Sequence, residues 1–143
     1  MNFVAKTFDE LSKRELYEIL RARSQIFIVQ QGMRCQDLDG TDFDATHYYL
    51  EQDGCVVAYL RAFYTDKVTI RIGRVLSVTH GIGLGKAVMQ KAIAHIKQNM
   101  KCKKICLDSQ THAIAFYEKF GFKVVSDQFL EEGVMHVKME LEI

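Results

Sequence analysis

The alternation of apolar and polar residues divides the chain into a strand, a helix, a hairpin, a strand–helix–strand unit and a closing pair of strands. Phe3 to Phe8 reads as a short first strand. Ser12-x-x-Glu15 is a capping box, and Leu16, Ile19, Leu20, Arg23 and Phe27 behind it share one helical face, so a helix is predicted from Lys13 to Val29. His47 to Gln52 and Cys55 to Tyr64 are rich in Tyr, Val and Leu and flank Asp53-Gly54, the dipeptide that favours a two-residue hairpin turn. After a break near Thr65-Asp66-Lys67, the residues Ile70, Ile72, Val75, Leu76 and Val78 predict a central strand, so that three antiparallel strands lead up to the glycines that follow. Leu84, Val88, Ala92 and Ile96, with Met89, Ile93 and Met100, then form an apolar stripe at helical spacing. Lys104 to Ser109 reads as a strand, Thr111 to Phe120 as a short helix ended by Gly121, and Phe122 to Val125 and Val134 to Ile143 as strands. A strand–helix–strand crossover makes a parallel pair. The fold class is therefore α/β (α+β): a mostly antiparallel mixed sheet with one parallel pair, flanked by helices.

The junction His80-Gly81-Ile82-Gly83-Leu84-Gly85-Lys86 lies between the central strand and its helix. N–H groups in the first turn of a helix have no intrahelical partners, and the macrodipole adds positive potential there, so the junction is suited to an anion. Glycines let a bulky pyrophosphate approach the main chain. The dinucleotide fingerprint would need glycine at position 86, which is Lys86. A P-loop would need glycine at 80 and Ser or Thr at 87, which are His80 and Ala87. Both common nucleotide motifs fail.

Composition narrows the partners. With 143 residues, 48% hydrophobic and 26% charged, the chain reads as one domain spanning 1–143 with a single core. A net charge of +1 argues against nucleic acid or a membrane surface as partner. No apolar run approaches the roughly 18 residues of a membrane span and the N-terminus lacks an apolar signal core, so a cytoplasmic location is expected. Cys35, Cys55, Cys102 and Cys106 form no C-x-x-C pair, so reduced thiols and no metal are expected. The acidic run Asp37 to Asp44 fails the calcium-loop pattern, since glycine comes fourth and position twelve is Tyr48; it reads as a solvated loop that gates the substrate. Proline is absent, and nothing in the sequence accounts for that.

Three groups of residues together carry a family resemblance. His80, Gly83 and Gly85 occupy the marked places of the [Q/R]-x-x-G-x-[G/A] signature of the GNAT superfamily of N-acetyltransferases, with His80 where Gln or Arg is usual. Ala113 to Phe122 matches the A-x-x-F-Y-x-x-x-G-F segment of the same superfamily. Arg23 to Gln31, Asp37-x-Asp39-Gly40, His47, Gln110, His112 and Gly133-Val134-Met135-His136 resemble its ElaA-like branch. That branch has glutamate where this chain has Gln30, and proline where it has Met135.

The resemblance implies a GNAT-like fold and acetyl-CoA as cosubstrate. The central strand would splay from its parallel neighbour, and backbone groups of Leu76, Ser77 and Val78 would receive the pantetheine arm and polarise the thioester. Gly81, Ile82, Gly83, Leu84, Gly85 and Lys86, with His80, would hold the pyrophosphate, and Gln110 and Tyr117 would lie beside the cofactor. Tyr117 would donate a proton to the departing thiolate, since a phenol titrates at about 10; it is otherwise a packing residue. His47, His112 and His136 are candidate acceptors of the amine's proton. Arg23 reads as a buried anchor. The reading is an N-acetyltransferase that transfers directly from the thioester to an amine, with a small-molecule amine as acceptor and a homodimer left open. The alternatives are a non-catalytic acyl-CoA-binding module or sensor, and an unrelated phosphate-binding α/β domain.

Overall fold

The computed structural model describes residues 1–143. Its strands are β1 (Asn2–Thr7), β2 (Thr46–Gln52), β3 (Cys55–Tyr64), β4 (Thr69–Ser77), β5 (Lys104–Gln110), β6 (Lys123–Val124), β7 (Phe129–Glu131) and β8 (Val134–Glu142). They form one sheet in the order β1-β2-β3-β4-β5-β8-β6, with β7 also paired to β8. Only β4 and β5 run parallel. The mixed sheet expected from the sequence is the sheet observed.

Helix α1 (Lys13–Arg23) begins at the expected capping box: the Glu15 amide donates to Ser12 Oγ at 3.1 Å and the Ser12 amide to Glu15 Oε1 at 2.8 Å. The predicted helix to Val29 is helical throughout but changes winding: from Ser24 to Gln30 the chain adopts the wider π form. Asp53 and Gly54 both take positive φ, 53° and 79°, as a two-residue hairpin turn of the primed type requires. A second turn of this kind, Glu132-Gly133 at φ 50° and 75°, joins β7 to β8 and was not foreseen, because β7 is only three residues long.

Helix α2 (Leu84–Asn99) lays Leu84, Val88, Met89, Ala92, Ile93 and Ile96 on one face of the sheet, against Leu50, Ala58, Leu60, Ile70, Ile72, Ile105 and Leu107. On the other face, Ile19, Ala22, Ile26 and Phe27 pack on Tyr49, Tyr59 and Leu76. Full burial of a large apolar side chain contributes about 1.5–3 kcal/mol, so the 18-residue cluster under α2 outweighs the 8-residue one under α1.

Strand β4 supplies a residue to both layers because it carries one extra residue. Tyr59 faces Leu76 and Arg61 faces Gly73, so two steps along β3 match three along β4, and Arg74 sits in the bulge at φ 52°. One inserted residue turns every later side chain to the opposite face. Ile70 and Ile72 therefore point to α2, and Leu76 to α1. A bulge also bends its strand: β4 pairs with β5 only from Thr69–Lys104 to Arg71–Cys106, after which the two diverge.

The acidic loop departs from expectation. Asp42 is 7% exposed, and its Oδ1 accepts from Arg23 Nη1 at 2.7 Å and Arg61 Nη1 at 3.0 Å. Asp39 accepts from Arg61, and Asp37 from Arg23 Nε at 3.2 Å and Arg74 Nε at 2.9 Å. The run is thus a clamp on three arginines, and the solvated loop is corrected for Asp37 and Asp42, whose charges face guanidiniums; Asp39 and Asp44 remain exposed. Arg23, 0% exposed, is the anchor expected of it. No helix is long and apolar enough to cross a membrane.

Candidate functional site

Gly81 and Gly83 adopt φ of 81° and 80°, a region in which a side chain is strained, and this lets the chain reverse tightly before α2. The reversal leaves a row of donors. None of the backbone N–H groups of residues 79–86 donates to an acceptor within the chain; the next amide, Ala87, bonds the Gly83 carbonyl at 3.0 Å. A cavity of about 520 Å³ opens here, between His80, Gly81, Gly83, Gly85 and Lys86 on one side and Phe116, Lys119 and Phe120 on the other. A Cβ at Gly85 would lie 3.6 Å from Phe116 Cζ, so glycine keeps this wall thin. Free amides at a helix start, with Lys86 and Lys119 on the rim, fit a diphosphate. The sequence reading did not single out Lys119, which caps the short helix α3 (Ile114–Glu118) and lines the same cavity as Lys86.

Leu76, Ser77 and Leu84 line the same cavity. Four other residues assigned to the cofactor, Val78, Ile82, Gln110 and Tyr117, do not. Ile82 is 65% exposed and outside the wall. The Val78 amide is spent on the Val57 carbonyl at 2.9 Å, so it has no N–H to offer a ligand. Strand alternation turns the Leu76 N–H to the same side as that of Val78, and the Ser77 N–H toward the gap left by β5. Gln110 lies in a neighbouring cavity.

That neighbour, about 240 Å³, is walled by Phe27, Met33, Cys35 and Asp37 from the α1 side, by Gly73, Arg74 and Val75 of β4, and by Asp108, Gln110, His112, Tyr117 and His136. It widens outward into a polar opening of about 650 Å³ lined by Arg71, Glu131 and Glu132 among others. Val75 and Ala113 belong to both the inner cavity and the glycine cavity, so the two meet at the splay of β4 from β5.

Tyr117 stands in the inner wall with its ring edge-on to Phe116 at 5.1 Å and Phe122 at 6.2 Å. Its hydroxyl has no partner within the chain, and burial pushes its pKa up to about 12, so it remains a proton donor at any ordinary pH. His136 is fixed as one tautomer. Its Nδ1–H donates to the Val134 carbonyl at 2.8 Å and its ring stacks on Phe129, so that in the neutral ring the lone pair is on Nε2. His112 is exposed and shares a 2.6 Å hydrogen bond through Nε2 with Gln110 Oε1.

His47 is corrected. It is 0% exposed, lines neither cavity, and both ring nitrogens are engaged, with Tyr59 Oη at 2.7 Å and the Asp42 carbonyl at 3.0 Å. Burial depresses its pKa, so it is a neutral core residue. Gln30 does not line the inner cavity either; Gln31 does. Asp108 and Arg71 went unremarked in the sequence, although Asp108 lies two residues before Gln110 on a strand and so shares its face.

Comparison with known proteins agrees with this geometry. Residues 11–143 match the family model described as acetyltransferase (GNAT) domain. A UPF0039 protein of Schizosaccharomyces pombe is 36% identical over 147 residues, covering 100% of this chain and 98% of that protein. The crystal structure of Escherichia coli ElaA superposes with a TM-score of 0.92 at 31% identity, over 99% of both chains. That of an acyl-CoA N-acyltransferase from Pseudomonas aeruginosa gives 0.91 at 30% identity, over 98% of this chain and 99% of the other.

Proposed function

Because the chain belongs to the GNAT acetyltransferase family, we propose that it transfers an acetyl group from acetyl-CoA directly to the amine of a small molecule. The observation that carries this reading is the meeting of the two cavities at Val75 and Ala113, with unpaired amides at the outer end of one and a protonated phenol in the wall of the other.

Each residue's part follows from its chemistry. The free amides of residues 79–86, with Lys86 and Lys119, hold the diphosphate. The Ser77 N–H, turned into the gap, donates to the thioester oxygen, where negative charge grows as the amine attacks. Acetyl-CoA supplies the activated acyl carbon. The new C–N bond forms as the C–S bond breaks, and the thiolate takes its proton from Tyr117. The amine's proton goes to His136 Nε2, the lone-pair nitrogen in the inner wall. No covalent acyl-enzyme is invoked: burial raises the pKa of the Cys106 and Cys102 thiols, and Cys35, the cysteine in the inner wall, is hydrogen-bonded to no base that would activate it.

The test is incubation with acetyl-CoA and a library of amines, with products read by mass and acetyl-CoA binding measured separately. Acetylated product from at least one small amine is the expected result. Saturable acetyl-CoA binding with no product from any acceptor would make the protein a sensor instead.

A further inference from the structure

The remaining question about this site is what sort of amine enters it, and one side chain bears on that more than any other. Asp108 lines both the inner cavity and the wider opening, two residues beyond the last β4–β5 pair. Gln110 shares its face of β5, and the antiparallel register sets His136 opposite Gln110, so Asp108 and His136 belong to the same wall. The two oxygens of Asp108 are in different situations. Oδ2 accepts from Arg71 Nη2 at 2.6 Å. Oδ1 is shielded from solvent and accepts no hydrogen bond within the chain. A carboxylate held rigidly through one oxygen, with the other unpartnered in a cavity wall, is an acceptor prepared for a donor that arrives from outside.

The charge around it favours a cationic donor. Asp39, Asp108, Glu131 and Glu132 line the wider opening against Arg61, Arg71 and Arg74. All three arginines are in ion pairs, whereas Glu131 and Glu132 are in none, so the uncompensated charge at the rim is negative. Glu132 also holds a left-handed φ of 50°, unusual for a glutamate, in the turn that places it there.

We propose that Asp108 binds the acceptor as its ammonium ion, and is thereby the residue that selects cationic aliphatic amines, protonated at neutral pH, over neutral arylamines and alcohols. The proposal rests on the acyl-transfer reading for the identity of this cavity as the acceptor's. Asp108 Oδ1 receives an ammonium N–H, and the nitrogen is thereby held beside His136, which takes one proton before attack; the second, lost as the C–N bond forms, replaces the proton that Tyr117 gives to the thiolate, and His136 then releases its own to solvent. Arg71 competes for the same carboxylate and tempers its hold, so the amine can leave it for the thioester.

The experiment titrates butylamine, phenethylamine, aniline and phenethyl alcohol into the CoA-loaded protein by calorimetry, with CoA release from acetyl-CoA followed in parallel. The aliphatic amines should bind more tightly than the other two. Asp108→Asn should weaken that binding about tenfold or more with CoA affinity unchanged, because a charge-assisted hydrogen bond becomes a neutral one. Arg71→Gln should leave amine binding unchanged or tighten it. A purely structural ion pair would make the two variants weaken binding alike, and that result would overturn the proposal, as would amine affinity indifferent to Asp108→Asn or no preference for aliphatic amines. Asp108-dependent amine binding without CoA release sustains the proposal while refuting acyl transfer; CoA release indifferent to Asp108→Asn does the reverse.

Discussion

Replacing Asp42 by alanine removes the carboxylate that two buried arginines share. Arg23 is 0% and Arg61 3% exposed, and each donates to Asp42 Oδ1, at 2.7 and 3.0 Å. Removing one partner of a buried ion pair costs about 3–5 kcal/mol, because the charge left behind stays desolvated. Arg23 keeps Asp37 and Arg61 keeps Asp39, so the lower end applies, about 3 kcal/mol. For a chain of this length that corresponds to a fall in melting temperature of about 10 °C. Asp42→Asn keeps an oxygen acceptor and should cost less. Asp44→Ala, in the same loop but exposed, should lie within about 0.5 kcal/mol of wild type. Urea denaturation at pH 7 measures all three. The pH dependence has a definite sign. Burial alone would raise the Asp42 pKa, but hydrogen bonds and charge from Arg23 and Arg61 outweigh it and depress the folded value below the unfolded one. Its contribution is therefore present above about pH 4 and lost as pH falls through the depressed folded pKa, so wild type and Asp42→Ala should converge in acid. If Asp42→Ala denatures at the same urea concentration as Asp44→Ala at pH 7, the clamp contributes nothing and the reasoning fails.

Other consequences follow from the site and core. Tyr117→Phe keeps both aromatic contacts and removes only the proton donor, so turnover should drop about 100-fold with acetyl-CoA affinity unchanged; equal turnover removes Tyr117 from the chemistry. Gly85→Val puts a branched side chain against Phe116 and into the diphosphate cavity, so CoA affinity by calorimetry should fall at least tenfold while the melting temperature moves little. His47 has a folded pKa depressed mainly by burial, so the unfolded chain binds the extra proton first. Stability should therefore decline as pH falls below about 6.5, and His47→Gln should flatten that slope in urea titrations at pH 7 and 5.

Relatives of this chain share its outline over their whole length, as the S. pombe protein and E. coli ElaA do. Within that outline, Arg71 of β4 holds Asp108 of β5 at 2.6 Å, just past the point where the parallel ladder ends.

The local pattern of the chain was enough for most of its elements and for the glycine cradle. Capping boxes, primed turns and helix starts depend on a few consecutive residues: Ser12 with Glu15, Asp53 with Gly54, and Gly81 through Lys86 each carry their own geometry. Period-two and period-3.6 spacing likewise identified the α2 stripe and the β2–β3 hairpin, because one buried face repeats along each. Long-range pairing decided the rest. Whether Asp42 meets water or two guanidiniums depends on Arg23 and Arg61, both 19 positions away, and whether His47 is a base or a core residue depends on Tyr59 across the sheet. The bulge at Arg74 turns Leu76 to the α1 side and bends β4 away from β5, and a single inserted residue becomes visible only against the partner strand. Electrostatic and packing environments are properties of neighbours in space, so the chain could nominate its polar residues, and only the folded sheet could assign them to core or cavity.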